Sequence, residues 1–203
     1  MDIDINFWLR LAAKLSLQLH DGQVDKTGEP YFLHPMRVAC SLYPNKQAMI
    51  VAFMHDLIED GKIELSYLLE CGFDKETVLS IDALTHRDNE TYADYVSRAC
   101  QDKIGILVKY QDILDNIRSE RLSLLDFGTQ KRLIVKYSLA LEIIREHQIR
   151  SGMTESLELV QNLIYLANLK NSLPICPDNL KKSDSADKSN DRNNLDTLSI
   201  WNC

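Results

Sequence analysis

His55, Asp56, Glu59 and Asp60 are the side chains in this chain best suited to chemistry, and they close the stretch MIVAFMHDLIED, residues 49 to 60. If the stretch is helical, at roughly 100° per residue, all four fall within one arc of about 140°. Ile50, Val51, Met54, Leu57 and Ile58 then occupy the opposite arc, as a core-facing stripe does. Three carboxylates on one face repel one another, so a positive charge belongs among them. Neutral imidazole together with carboxylate suits a hard or borderline divalent cation. Alone, however, an HD pair beside acids is more often a solvated helix end, because two adjacent side chains cannot fill a coordination shell. Further ligands must come from elsewhere in the chain.

The chain has 203 residues, 45% of them hydrophobic, which is enough for one domain with a substantial core. Its formal net charge of −7 argues against a duplex nucleic-acid binder, whose affinity rests on a basic surface. An anionic small substrate stays compatible with that charge if a metal and local cations offset it. The five cysteines are odd in number and form no CxxC pair, which fits a reducing, cytoplasmic setting. No apolar run is long enough to span a membrane, and the N-terminus lacks the pattern of a signal peptide.

The elements that would carry the site are helices. All prolines lie at or before Pro44 or at and after Pro174, so about 130 residues with helical apolar spacing run without a breaker. The expected fold is therefore all-α. A first helix over 4 to 20 presents Phe7, Leu11, Leu15 and Leu19, and the glycine-rich HDGQVDKTGEPY that follows is a loop. Pro35 opens the next helix and leaves His34 at its mouth. Asn45 caps a central helix over 46 to 60, which Gly61 stops. A short helix over 64 to 71 ends at Gly72, and Asp74 caps another that runs to Thr85. After HRDNET comes YADYVSRAC, a short helix, then KIGILVKYQDILDNIR over 103 to 118. In the latter Lys109, Asp112 and Asn116 form a polar stripe against Ile106, Tyr110, Ile113, Leu114 and Ile117. Two more helices, 129 to 148 and 152 to 170, offer Leu133, Tyr137, Leu141, Ile144, Leu157, Val160 and Ile164 to the core. The polar composition after Leu173 predicts a disordered tail over 173 to 203, closed by LSIW.

The collected residues and the words around them resemble the HD superfamily of metal-dependent phosphohydrolases. Within it, they resemble the hydrolase domain of RelA/SpoT homologues and the stand-alone small alarmone hydrolases. The matching stretches are GQVDKTGEPYFLHPMRVA (22 to 39), HDLIED (55 to 60) and VKYQDILDNIR (108 to 118), and they cover most of residues 10 to 150. The resemblance implies a compact multi-helix HD domain over 1 to 172 and one divalent ion, typically Mn2+, held by His34, His55, Asp56 and Asp112. It implies Glu59 and Asp60 as the catalytic acid couple, and Lys26, Tyr31, Asn116 and Arg118 as contacts to a nucleotide or its phosphates. The implied reaction removes the 3′-pyrophosphate of guanosine tetra- and pentaphosphate, without the synthetase domain that larger relatives carry.

Two departures bear on the substrate. Asp25 stands where an arginine stacks on guanine in the family, and Gln111 stands where a small residue is expected. Arg87 and Arg98, in a segment with no family counterpart, read as surface residues. The leading expectation is an alarmone-type 3′-pyrophosphohydrolase. The runner-up is the same chemistry on another phosphorylated nucleotide. The third is a non-catalytic module whose tail recruits a partner. As partners, a homo-oligomer or a tail-bound protein is expected beside the nucleotide.

Overall fold

A computed structural model describes residues 4–152 and 157–172 of the chain. Ten α-helices follow in order: α1 Ile5–Leu19, α2 Leu33–Ser41, α3 Lys46–Met54, α4 Leu65–Glu70, α5 Lys75–Leu84, α6 Tyr92–Ala99, α7 Gly105–Asn116, α8 Ser119–Leu122, α9 Phe127–Arg150 and α10 Leu157–Ser172. Among the described residues there is no strand, only an isolated bridge between Val24 and Pro30 that ties the 21–31 loop to itself. The all-α expectation is met. No helix among the described residues is long and apolar enough to cross a membrane. The tail over 173 to 203, with its closing LSIW, lies outside the described residues.

The helix starts are set by side chains that satisfy orphan backbone donors. Asn45 accepts from the Ala48 N–H at 3.1 Å, Asp74 from Thr77 at 2.8 Å, and Asp126 from Thr129 at 3.0 Å. Gly72 closes α4 at φ +90°, and a Cβ there would meet the Trp8 ring at 3.0 Å, so both backbone and packing call for glycine.

Two apolar cores result. The first joins α1 to α5, with Val38, Ile50, Val51, Met54, Leu57, Leu68 and Ile81 buried. The second joins α6 to α10 around Val96, Ile113, Ile134, Leu141, Ile144, Leu159 and Leu166. Helix α7 serves both: Val108 faces the first core and Ile106, Ile113 and Ile117 face the second. The cleft between the two cores is where the polar residues of α2, α3 and α7 meet.

Several boundaries differ from expectation. Helix α2 begins at Leu33, so His34 lies inside its first turn. Pro35 is tolerated there because a first-turn N–H has no intrahelical partner. The central helix ends at Met54 rather than 60. The Ala52 carbonyl, which a continuous helix would offer to the Asp56 N–H, accepts from the His55 ring at 2.7 Å. Leu57 N–H then reaches back only to Met54 O, and the turn closes at Gly61 with the Lys62 N–H on Leu57 O and the Gly61 N–H on Ile58 O. In α1 the buried positions are Ala12 and Ser16, whereas Phe7 is exposed. In α10 Leu159 and Leu166 are buried in place of the expected Ile164, which is exposed.

Candidate active site

Each histidine of the candidate site is fixed by the bond its Nδ1 makes. A backbone carbonyl can only accept, so the 2.7 Å contact to Ala52 O puts the His55 proton on Nδ1. The lone pair of Nε2 then points inward, and this atom is buried with no hydrogen-bond partner. His34 Nδ1 donates to Asp115 Oδ2 at 2.8 Å, which likewise directs its Nε2 into the cleft. Asp115 is itself gripped by Arg37, whose Nε and Nη2 donate to its two oxygens at 2.6 and 3.0 Å. A carboxylate behind a histidine in this way fixes ring orientation and raises ligand basicity.

From α7, Asp112 meets the two rings. Ligand atoms of His34, His55 and Asp112 all lie within 4.8 Å of one another, and all three residues are buried. Asp56 joins them, its Oδ2 3.2 Å from His55 Nε2 and 3.7 Å from His34 Nε2. Two imidazole nitrogens and carboxylate oxygens converging in a buried pocket form a donor set suited to a divalent metal. The orphaned Nε2 of His55 is the atom such an ion would satisfy.

The charges are strongly coupled. Burial works against ionising Asp112, but Lys109, 2.9 Å away, and His34 outweigh it and hold its carboxyl well below the usual range. Burial would lower His34, yet its hydrogen bonds to Asp112 and Asp115 push it up to about 10. For Asp56 the desolvation that would raise its pKa is overcome by His55 and then His34. A proton on His34 therefore neutralises part of the acidic cluster, and a divalent ion would have to displace it.

The cavity above this cluster has a volume of about 700 Å³, within the range usual for small-molecule sites. Glu59 and Asp60 stand at its rim, on the turn after α3 rather than on a shared helical face. Glu59 accepts from the His86 N–H at 3.4 Å, and Asp60 accepts from Gln23 Nε2 at 2.9 Å. Lys26 also lines the cavity.

Tyr31 and Asn116 are there too, but their polar groups are turned onto the acids. The Tyr31 hydroxyl donates to Asp56 Oδ2 at 2.6 Å. Asn116 Nδ2 donates to Asp112 Oδ1 at 2.6 Å and to Asp112 O at 3.0 Å. Both therefore fix carboxylates. Arg118 is not brought into this cavity. Helix α7 ends at Asn116, and the Arg118 side chain turns outward to Asp115 at 3.5 Å and Glu120 at 3.8 Å.

Three contributors were not foreseen. Asp115 lies one turn beyond Asp112, a spacing that could have flagged a second inward acid. Arg121 reaches the cavity from α8 and donates to Asp25 Oδ2 at 2.6 Å. Asp25 Oδ1 meanwhile accepts from Thr27 N, Thr27 Oγ1 and Glu29 N, so this carboxylate organises the loop. Lys136 of α9 lies 4.4 Å from the centroid of the Tyr92 ring. Neither α8 nor Lys136 bears a motif that would have singled it out.

Asp115→Asn keeps the shape of the side chain but removes the charge that Arg37 and His34 share. We expect manganese affinity to fall roughly 10–100-fold, the usual effect of losing such a partner. Titration of metal-stripped protein with Mn2+ measures it, and unchanged affinity would refute the role.

No protein-family model matches the chain. It is 33% identical over 125 residues to the bifunctional (p)ppGpp synthase/hydrolase SpoT of Escherichia coli K12, covering 55% of this chain and 18% of that protein. It is 28% identical over 121 residues to a guanosine-3′,5′-bis(diphosphate) 3′-pyrophosphohydrolase of Aquifex aeolicus, covering 55% of this chain and 17% of that one. The chain thus spans less than a fifth of the length of these relatives. Among solved structures it is similar to a metazoan orthologue of SpoT described as hydrolysing ppGpp. The TM-score is 0.64 at 16% identity, over 82% of this chain and 97% of the other. The fold is that of this neighbour, and the resemblance read from the sequence stands.

Proposed function

We propose that this chain is a metal-dependent hydrolase that removes the 3′-pyrophosphate from (p)ppGpp-like nucleotides, with Mn2+ as its ion. The observation that carries this reading is the convergence of two Nδ1-tethered histidines with Asp112 beneath a cavity containing Lys26 and Lys136. Neither lysine has a carboxylate partner among the described residues, so both are available to phosphate oxygens. The names of the relatives supply the substrate class.

His34, His55, Asp56 and Asp112 would hold the ion. A bound divalent ion makes water acidic enough to supply a nucleophile at neutral pH. Glu59 and Asp60 orient that water and carry its proton. In the reaction water attacks the phosphorus attached to the ribose 3′ oxygen. The P–O3′ bond breaks, pyrophosphate leaves, and the 3′ oxygen takes a proton. Lys26, Lys109, Lys136 and Arg121 offset the charge of substrate and acids together. The free thiols of Cys40, Cys71 and Cys100 fit a reducing cytoplasm.

A second reading has its own support. Asp25 is occupied by Thr27 and Arg121, so no arginine at that position can stack on guanine. The same chemistry on a different phosphorylated nucleotide fits this feature. The test is purified protein with manganese and a panel of ppGpp, pppGpp, GTP, ATP and NADPH, with phosphate and pyrophosphate followed. Pyrophosphate from the first two alone supports the proposal. Turnover of another member supports the second reading. No turnover by protein shown to hold metal refutes both.

A further inference from the structure

Resting on the hydrolase reading above, we propose that His86 contacts the substrate and that Arg98 is the residue that positions it. Both belong to the segment between α5 and the end of α6, to which the sequence assigned no function.

Arg98 is no surface arginine. Its Nη1 donates to Asp82 O and Ala83 O, both at 3.1 Å, and its Nη2 to Thr85 O at 2.8 Å. They lie at the C-terminal end of α5, where carbonyls run short of helical donors; Asp82 O also accepts from the Thr85 N–H at 3.1 Å. Its Nε and Nη2 also donate to the two oxygens of Glu90, each at 2.7 Å. One guanidinium therefore grips both ends of the 85–90 turn, and Glu90 further accepts from the Arg87 N–H at 3.3 Å. The Tyr95 hydroxyl adds a bond to Leu84 O. With its donors so engaged, Arg98 is no candidate for binding phosphate itself.

What the clamp presents is His86. Its N–H holds Glu59 Oε2, and its ring lies edge-on to Tyr95 with centroids 5.3 Å apart, lining the cavity. The chain has five histidines. The rings of His20, His34, His55 and His147 bond to Gln23, Asp115, Ala52 O and Ser151. Among the described residues neither ring nitrogen of His86 has a hydrogen-bond partner. The Tyr92 hydroxyl, in the lining of the same cavity, is buried and unpartnered. The ring nitrogens of His86 stay open to the cavity, where a ligand can take the place of water as their partner. A phosphoryl oxygen of the substrate supplies that partner for an imidazole N–H, next to the acid couple.

A purely structural Arg98 would only cap α5, so the test must separate the two roles. Wild type, His86→Ala, Arg98→Met and the double variant are compared for kcat and KM, with manganese content measured in each. One lost charge-assisted hydrogen bond lowers kcat/KM about 10–100-fold in His86→Ala, with metal retained. If Arg98 acts through His86, Arg98→Met loses activity in the wild-type background but less than about threefold further in the His86→Ala background. Equal losses in both backgrounds overturn the positioning role, and unchanged kinetics in His86→Ala overturn the proposal. Should Arg98→Met not fold, Glu90→Gln frees the far end of the turn while leaving the helix cap, and takes its place in the cycle. If wild type hydrolyses no nucleotide, the hydrolase reading fails separately. The inference is then judged by 15N-histidine NMR with inorganic pyrophosphate. A shift of the His86 ring nitrogens that Arg98→Met abolishes supports it, and no shift refutes it.

Discussion

Asp112→Ala should leave a folded protein that holds no stoichiometric manganese and hydrolyses nothing measurable. Asp112 Oδ1 lies 3.2 Å from His34 Nε2, and no other carboxylate of α7 faces that side, because Asp115 is turned to the far nitrogen of the same ring. Losing it removes one of the three groups whose ligand atoms converge. It also strands Lys109, whose buried ammonium is matched by Asp112 at 2.9 Å. An unpartnered buried charge costs about 3–5 kcal/mol. The Tyr95 ring, 4.7 Å from Nζ, offsets part of that. Metal analysis, activity and thermal unfolding of the one variant read these effects separately. Full metal occupancy in Asp112→Ala would remove Asp112 from the ligand set. An undiminished melting temperature would show that Lys109 does not depend on it.

How much of this was legible in the sequence follows from the kind of signal each residue gives. Caps were legible because Asn45 and Asp74 act within three residues of themselves. The apolar back of α7 was legible because periodicity is a one-dimensional signal, whereas α3 is buried on nearly every side, Ala52 and Phe53 included. The break after Met54 was not. It is caused by a side chain, His55, taking a backbone carbonyl, and a residue type does not announce which partner it will choose. The wheel that gathered His55, Asp56, Glu59 and Asp60 therefore gave the right neighbours by a wrong geometry. They meet through a tight turn.

The ligand candidates came from motif resemblance. The groups behind them came only from three dimensions. Arg37, Asp115 and His34 form a chain that spans 78 residues between arginine and aspartate, and nothing local links them. Asp25 shows the same limit in reverse. The sequence marked it as a missing arginine, whereas the fold pairs it with Arg121, 96 residues away, and so restores a cation to that wall of the cavity. Substitutions between distant partners look like losses until both partners are placed.

Glu59→Gln should lower kcat by about 10²–10⁴, the usual contribution of a positioned acid or base, while the protein keeps its manganese. Glu59 is exposed at the cavity rim, outside the buried cluster of His34, His55 and Asp112, and its carboxylate faces the His86 N–H. The amide preserves size and can still accept from that N–H, but it cannot take a proton from water. The contrast with Asp112→Ala is what assigns the roles, since one variant loses metal and activity together and the other loses activity alone. KM should change little, because the phosphate contacts proposed for Lys26 and Lys136 are untouched. Stopped-assay turnover beside metal analysis decides it. Loss of the ion in Glu59→Gln would move Glu59 into the coordination shell, and near-wild-type kcat would leave Asp60 as the proton carrier.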